Sequence, residues 1–377
     1  MSMSKFSYIV PRDLLISILN IAYDVYSNNT RGGFIGVSIP FYRREHFFEL
    51  DINEDNVEVS IPISKEEYDY LRNKLYDTLI NESRFDPRII KTAFDRAIPK
   101  SDIVRDLLYF SGVIFPKNWD ELVITLNDFC KRDVYRGEKI GIVTFDTNIF
   151  RKGLILHILN YVKKRRCKIG YLLLRGVMEE ILNKLRNTKY SRNDIRILSN
   201  TELYGNSASD MFMNQLILDE RFWMEAYQDY LLLKNEITSY EMESIKGDEA
   251  LIEAIKAFES ERRADVLLVT MDETFASKAV GENIRTVLLE QHPVSEFFET
   301  SFITPWENAS LLLYYSAIAY GMIRLDIQHE QGFGQVIIYG IWKGKRKEDW
   351  DRRCVKIETN DKILSEKFNR LLKPLLS

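Results

Sequence analysis

The segment IGIVTFDTNIF, residues 140–150, decides the predicted fold of this chain. Its first six residues form a short apolar run of the kind that is buried on both faces of a parallel sheet. Asp146 follows that run directly. In open α/β sheets, ligands bind at the edge where the strands have their carboxyl ends. We therefore expect a parallel sheet that carries Asp146 at its functional edge.

Strands and helices alternate after this segment. Apolar runs predict strands at 169–174, 265–270 and 284–290, and 3.6-residue periodicity predicts helices at 151–164, 177–185 and 248–259. The alternation indicates right-handed βαβ crossovers and an α/β unit with a parallel sheet over residues 136–292. Residues 187–246 interrupt the alternation and are too many for a simple loop. We expect a largely helical insertion there.

The two flanks predict separate domains. Residues 1–135 indicate a mixed α/β domain, with a helix at 13–26 and strands at 33–42, 47–52 and 57–63. Residues 293–377 indicate a small α+β domain, with an apolar helix at 308–323, strands at 334–343 and 352–358, and a final helix. A polar turn at 135–139 marks the expected boundary before the parallel sheet. Three domains are therefore predicted.

Composition excludes several classes of protein. The 377 residues include 52 Lys and Arg against 56 Asp and Glu, a net charge of −4, which excludes a polycation that holds nucleic acid by bulk attraction. The longest uncharged apolar stretch has 16 residues, at 308–323. A bilayer crossing requires ~20 apolar residues. With no signal-peptide pattern before Pro11 and Asp13, we expect a cytoplasmic protein without membrane contact.

Three cysteines, Cys130, Cys167 and Cys354, lie far apart in the chain without a CxxC spacing. This pattern gives no support to a disulfide framework or to a structural zinc site. We therefore expect a reduced intracellular chain.

Two carboxylates follow predicted strands directly. Asp272 comes after VLLVTM as Asp146 comes after IGIVTF, so the two acids face one crevice if their strands are neighbours. Asp265 also flanks an apolar strand, but at the end opposite to Asp272, roughly 23 Å away at ~3.3 Å per residue. We exclude Asp265 from the predicted site.

Two helices add further candidate acids. Glu179 and Glu180 lie on the polar side of the helix at 177–185, and either could reach the crevice. Asp248 begins the next predicted helix, where the helix dipole favours a carboxylate. At ~100° per residue, Asp248 falls on the margin of the buried side of that helix, whereas Glu249 points away. Asp248 is the better candidate of the two.

Converging carboxylates point to metal chemistry. They repel one another unless cations neutralise them or some take up protons. Hard oxygen ligands without His or Cys select Mg²⁺ or Mn²⁺. Two such ions about 3.5–4 Å apart can support an in-line displacement at phosphorus. A receiver-type phosphoacceptor domain also has Asp at strand ends, but it needs a Lys after a later strand, and the segment from 284 to 293 supplies none.

The order of four segments resembles the PIN-domain nuclease family: FDTNIF, VMEEIL, GDEALIEA and VLLVTMDETFASKA, within about residues 137–292. The resemblance implies a three-layer α/β/α sandwich, divalent metal ions and cleavage of RNA, usually single-stranded. It maps the four acids of the family to Asp146, Glu180, Asp248 and Asp272, with Thr147, Asn148 and Thr270 as supporting polar groups. The insertion at 187–246 departs from the family pattern, and Glu249 beside Asp248 leaves the third acid open.

The chain is therefore predicted to be a metal-dependent endoribonuclease with a four-acid, two-metal site, in which Asp146 is the central ligand. DNA is the alternative substrate. The flanks are expected to supply substrate selection or homo-oligomerisation. The alternative function is a non-catalytic RNA-binding or scaffold protein that keeps the PIN-like fold.

Two basic runs are candidate nucleic-acid contacts. One is Lys163, Lys164, Arg165 and Arg166; the other is Lys345, Arg346 and Lys347. Trp342 and Trp350 flank the second run, so it could combine backbone charge with base stacking, as single-strand binders do. The alternative interpretation of both runs is a solvated protein surface.

Overall fold

The computed structural model describes residues 6–26, 32–42, 45–132, 136–199, 204, 207–329 and 332–376. The first part of the polar turn predicted at 135–139 lies outside these residues. The strands are β1 (Phe6–Pro11), β2 (Gly33–Ser38), β3 (Phe48–Ile52), β4 (Val57–Ile61), β5 (Ile140–Phe145), β6 (Gly170–Leu174), β7 (Ser239–Met242), β8 (Ala264–Thr270), β9 (Arg285–Leu288), β10 (Thr300–Thr304), β11 (Met322–His329), β12 (Gly332–Tyr339) and β13 (Cys354–Thr359).

The helices are α1 (Ile16–Tyr26), α2 (Lys65–Glu82), α3 (Pro87–Ala97), α4 (Ile103–Ser111), α5 (Trp119–Cys130), α6 (Thr147–Arg151), α7 (Leu154–Lys164), α8 (Arg175–Lys184), α9 (Arg192–Ser199), α10 (Ser207–Phe212), α11 (Leu218–Lys234), α12 (Asp248–Arg262), α13 (Glu273–Gly281), α14 (Trp306–Tyr320), α15 (Lys347–Asp351) and α16 (Lys362–Leu376). Two short 3₁₀ helices lie at Arg12–Leu15 and Val294–Phe297. None of the helices in the described ranges has the length and apolar character that a membrane crossing requires.

The chain divides into two compact units. The antiparallel unit contains Met1–Ile114, Asn187–Arg221 and Pro293–Ser377, and the parallel unit contains Phe115–Arg186 and Phe222–His292. The antiparallel unit has an eight-stranded sheet in the order β1-β13-β12-β11-β2-β3-β4-β10, in which every neighbouring pair is antiparallel.

This sheet corrects the prediction of separate domains at 1–135 and 293–377. β1 pairs with β13, β2 pairs with β11 and β4 pairs with β10, so strands from the two ends of the chain complete one another's ladders. The backbone groups of a strand edge need hydrogen-bond partners. Here those partners come from the other end of the chain, which local sequence patterns do not reveal.

Helix α14 is the buried helix of the antiparallel unit. It carries the apolar stretch predicted at 308–323, and its side chains from Leu312 to Tyr320 are all buried. The helix ends before Gly321, whose positive φ of 78° reverses the chain, and β11 begins at Met322. A helix that is apolar on every side is buried in a protein core or in a membrane. In this unit the core provides that environment.

The parallel unit has a five-stranded sheet in the order β7-β6-β5-β8-β9, with every neighbouring pair parallel. All five residues of β6 are buried, as are the last five of β5, so the expectation of strands buried on both faces is confirmed. The structure thus confirms a mixed α/β chain with a parallel sheet.

The sheet corrects the predicted insertion at 187–246. Residues 187–221 belong to the antiparallel unit, whereas Phe222 begins the second segment of the parallel unit. That segment contains β7, which pairs with β6 at the edge of the sheet. β7 has only four residues, none of them fully buried, so it lacks the apolar run that marks the other strands. This is why the sequence pattern did not reveal it.

A disulfide in the parallel unit corrects the prediction of reduced cysteines. Cys130, the last residue of α5, is bonded to Cys167, which lies before β6, with a Cα–Cα distance of 4.8 Å. Cys354 is free and buried. The two bonded residues are 37 positions apart, so their proximity depends on how α5 and α7 pack on the sheet.

We expect denatured protein to show one thiol, that of Cys354, when it is alkylated without reductant, and three after reduction. Reduction, or the change of Cys130 and Cys167 to Ser, should lower the free energy of unfolding by up to about 4 kcal/mol, because the unfolded chain regains the entropy of the open loop. Mass spectrometry of the alkylated protein counts the thiols, with Cys354 as the internal standard. Three reactive thiols before reduction would contradict the assignment.

Candidate active site

The order of strands in the parallel sheet defines the position of the candidate site. From β5 the chain adds β6 and β7 on one side and β8 and β9 on the other, so the order reverses between β5 and β8. Ligands of open α/β sheets bind outside the carboxyl ends of the strands at such a reversal. Asp146 follows β5, and Asp272 lies two residues after the end of β8. The Asp146 amide extends the ladder by donating to the Val269 carbonyl at 3.1 Å.

Asp146 is buried, with 9% of its surface exposed, and both of its carboxylate oxygens accept hydrogen bonds. Oδ1 accepts from the backbone amide of Thr147 at 2.6 Å. Oδ2 accepts from the hydroxyl of Thr270 at 3.0 Å and from the side-chain amide of Asn148 at 3.1 Å. These donors hold the carboxylate in one orientation at the start of α6.

The pKa of Asp146 is raised above its usual value, and burial is the main cause. The hydrogen bonds from Thr270, the Thr147 backbone and Asn148 lower the pKa, while the negative charge of Glu180 raises it. Burial in a region of low dielectric disfavours the charged form of a carboxyl group. A cation bound beside Asp146 would relieve this unfavourable charge.

Thr147 connects the first two candidate acids. Its hydroxyl donates to Oε2 of Glu180 at 2.9 Å, while its backbone amide donates to Asp146. The neighbouring Glu179 lies beside Arg175 instead, with 3.4 Å between the charged groups. Of the two acids that the helix pattern left open, Glu180 is therefore the one joined to Asp146.

Thr270 connects the ends of β5 and β8. Its buried hydroxyl donates to Asp146 and accepts from the backbone amide of Asp272 at 3.0 Å. Oδ1 of Asp272 accepts from the backbone amides of Thr274 and Phe275 at 2.8 and 3.0 Å, and so caps α13. We call this set the acid network; its members are Asp146, Thr147, Asn148, Glu180, Thr270 and Asp272.

Asp248 is joined to a lysine rather than to the acid network in the part of the chain that the structure describes. Its Oδ2 lies 3.0 Å from Nζ of Lys278 on α13. Glu249, the alternative third acid, lies 4.0 Å from the same ammonium and has 89% of its side chain exposed. The hydrogen bond to Asp248 raises the pKa of Lys278, and the charges of Asp248, Glu249 and Asp272 add to the effect.

Sequence analysis did not identify Lys278. Its proximity to Asp248 depends on the packing of α12 against α13, which brings together residues 30 positions apart. No periodic pattern within either helix indicates that contact. Lys278 places a positive charge beside Asp248, one of the four predicted acids.

The donor atoms fit Mg²⁺ or Mn²⁺, because they are carboxylate, hydroxyl and amide oxygens, the ligands that these hard cations prefer. Asp146 and Glu180 are the residues that would hold the first ion. Within the described ranges, no three His, Cys, Asp or Glu side chains lie together closely enough to form a complete metal cluster. Asp272 is held instead by the amides at the start of α13, and Asp248 by Lys278.

The first basic run lies away from the acid network. Lys163, Lys164, Arg165 and Arg166 end α7 and precede β6, so they lie toward the edge where the strands have their amino ends. Their exposed side chains include Lys163, which pairs with Glu236 at 2.6 Å. Asp265, which we excluded from the site, forms an ion pair with Arg132 at this same edge.

The second basic run is partly structural. Lys345 is buried; its ammonium donates to the carbonyls of Gly340 and Cys354 at 2.6 and 3.0 Å and lies 3.7 Å from the centre of the Trp350 ring. Trp342 and Trp350 are buried as well, so they do not offer free faces to a base. We therefore remove Lys345 from the proposed nucleic-acid contacts, whereas Arg346 and Lys347 are exposed and stay predictions.

We expect the melting temperature of Asp146→Asn, relative to that of the wild type, to rise between pH 4 and pH 7 in the presence of a chelator. Because folding raises the pKa of Asp146, its ionised form opposes folding. That penalty is absent below the pKa of an unfolded Asp, about 3.9, and appears as pH rises through the higher folded pKa. The difference between the variant and the wild type should therefore grow in favour of the variant from pH 4 to pH 7 in thermal melts.

Asp265→Asn is the matched control for this experiment, because it removes a carboxylate that pairs with Arg132 at the opposite edge. It should lower the melting temperature at neutral pH. A difference between Asp146→Asn and the wild type that does not change from pH 4 to pH 7 would contradict our account of the buried charge.

Comparison with known proteins adds no relative to this description. No protein-family profile matches the chain, and no curated protein matches it. The geometry of the acid network and the four segments quoted above are therefore the observations on which a function can be proposed.

Proposed function

We propose that the parallel unit is a divalent-metal-dependent endonuclease that hydrolyses the phosphodiester bonds of single-stranded RNA. The observation that carries this proposal is the buried carboxylate of Asp146, joined through Thr147 to Glu180 at the reversal of strand order. Burial of negative charge at the end of the strands where α/β sheets bind ligands favours a bound cation. The resemblance to PIN-domain nucleases gives RNA as the substrate, with DNA as the alternative.

Each residue of the acid network has a distinct part in this proposal. Asp146 and Glu180 bind the cation, and Thr147, Asn148 and Thr270 orient these carboxylates. Asp272 is held at the start of α13, where it can bind a second ion or a water that the ion holds. A bound Mg²⁺ or Mn²⁺ would supply an activated water and stabilise negative charge on the phosphate.

The location of the protein is a separate part of the proposal. We propose that the protein is cytoplasmic, because RNA substrates are abundant in the cytoplasm. The Cys130–Cys167 disulfide restricts this location to a cytoplasm in which disulfides persist. Disulfides persist in oxidising compartments and in the cytoplasm of hyperthermophiles, and they are rare in other cytosolic proteins.

The test of the proposal is cleavage of end-labelled single-stranded RNA and DNA with Mg²⁺, with Mn²⁺ and with chelator. We expect metal-dependent cleavage by the wild type, and activity at the level of the chelator control for Asp146→Asn and Glu180→Gln. Thermal melts establish that each variant is folded. Cleavage by Asp146→Asn at the wild-type rate would disprove the proposal.

Substitutions at two buried threonines distinguish loss of carboxylate orientation from a general loss of packing. Thr270→Val removes the hydroxyl that bonds Asp146, and we expect a loss of about 10–100-fold in metal affinity or cleavage rate. Thr144→Val is the matched control, because Thr144 is also buried and its hydroxyl bonds the Leu172 carbonyl at 2.9 Å within the sheet. Equal losses in the two variants would assign the effect to packing.

The non-catalytic alternative is favoured by one observation. The carboxylate of Asp272 caps its own helix, and Asp248 pairs with Lys278, so two of the four predicted acids already have partners. A binding protein with one weak cation site would have this arrangement. Stabilisation by Mn²⁺, about 2.7 kcal/mol at a hundred times the dissociation constant, without cleavage of any nucleic acid would support that function.

A further inference from the structure

Basic side chains are concentrated along the edge of the parallel sheet where the strands have their amino ends. Ile140 is level with Ala264 in the register of β5 and β8, so the residues that precede these strands, Lys139 and Arg263, both lie at this edge. Adjacent strands are about 4.8 Å apart. Ile142 is level with Gly170, which places Lys168 level with Ile140. Lys168, Lys139 and Arg263 therefore lie near the amino ends of three neighbouring strands, β6, β5 and β8.

The disulfide adds the basic segment at Lys131 to this edge. It joins Cys130, which precedes Lys131, to Cys167, which precedes Lys168. The end of α7 then contributes Lys164, Arg165 and Arg166. We call the whole set the amino-edge patch; its members are Lys131, Lys139, Lys164, Arg165, Arg166, Lys168, Arg262 and Arg263, all exposed.

Ion pairs account for several of the acids near this patch. Asp265 is bonded to Arg132, Glu236 to Lys163, and Asp128 lies 3.7 Å from Arg285. Each of these pairs is neutral and lies outside the patch as defined. Glu138 and Glu261 are the acids next to the patch along the chain. The patch therefore has a clear excess of positive charge in a chain whose net charge is −4.

The amino-edge patch and the acid network lie at opposite ends of the same strands. β5 has six residues, which span about 20 Å at ~3.3 Å per residue. Exposed charges separated by more than the Debye length of about 8 Å are largely screened from one another at physiological salt. The patch therefore acts as a separate surface and does not neutralise a phosphate bound beside Asp146.

The character of the patch favours a polyanion over a lipid surface. Membrane-surface segments combine basic residues with a continuous apolar face. Among the described residues next to the patch, Ile237 is a fully exposed large apolar side chain, but it stands between Glu236 and Thr238 and forms no such face. A row of Lys and Arg on a rigid sheet edge suits the repeated charge of a phosphodiester backbone.

We propose that the amino-edge patch binds the backbone of a single-stranded nucleic acid and holds it at a distance from the acid network. The choice of a nucleic acid rests on the proposed function, because the acid network is proposed to cut such a strand. The binding itself requires no hydrolysis.

The test measures binding of a labelled oligouridylate of about 30 nucleotides by fluorescence anisotropy in chelator, over a range of salt concentrations. The variant is Lys131→Glu with Lys164→Glu and Lys168→Glu, three exposed side chains on both sides of the disulfide. We expect affinity to fall at least tenfold, and the salt slope to fall by about 2, since each phosphate contact to a single strand contributes ~0.7.

The matched control is Lys74→Glu with Arg88→Glu and Lys100→Glu, which changes the same amount of charge at exposed positions of the antiparallel unit. The control should bind like the wild type, and thermal melts should show that both variants are folded. The neutral variant with Gln at Lys131, Lys164 and Lys168 should lose less affinity than the Glu variant. Equal affinities for the patch variant and the control would overturn the proposal.

Two further arms separate this proposal from its alternatives. Anionic vesicles should bind no better to the wild type than to the patch variant; binding to vesicles but not to the oligonucleotide would assign the patch to a membrane. If no nucleic acid is cut but the patch variant still loses binding, the patch proposal stands and the nuclease proposal fails. If cleavage occurs and the patch variant binds the 30-nucleotide strand like the wild type, the nuclease proposal stands and the patch proposal fails.

Discussion

The pairing of β5 with β8 is the constraint on which the candidate site depends. It brings the ends of two strands together, and the hydroxyl of Thr270 then bonds Asp146 while accepting from the amide of Asp272. The segments involved are 124 residues apart in the chain. Without this pairing, the acids would be separate helix caps. With it, a buried carboxylate lies at the reversal of strand order, where α/β sheets bind ligands.

Burial gives the acid network its chemical character. A solvated Asp at a strand end would be an ordinary helix cap, and such caps stabilise helices. Asp146 also caps α6, but its burial raises its pKa, and three hydrogen bonds keep it oriented. Carboxyl groups whose pKa is raised by burial and by a neighbouring charge are typical of functional sites. This is why the proposed function rests on Asp146 and Glu180 rather than on the number of acids.

In the parallel unit the acid network lies at the carboxyl edge of the strands, and the amino-edge patch lies at the opposite edge. Parallel strands make this separation possible, because all their carboxyl ends lie on one side. The disulfide between Cys130 and Cys167 joins two of the basic segments covalently. The proposed cleavage and the proposed strand binding therefore belong to different edges of one sheet. In the antiparallel unit, by contrast, Lys345 has a structural role between two buried tryptophans.

The sequence by itself determined the buried strands β5, β6 and β8, the acids at their ends and the buried helix α14, because each depends on a local pattern of apolar residues. Tertiary structure decided the rest. Pairing between distant strands joined the two flanks into one sheet and added the short strand β7, and helix packing placed Lys278 beside Asp248 and Cys130 beside Cys167. These features depend on contacts between residues from 30 to more than 300 positions apart, which a local pattern does not encode.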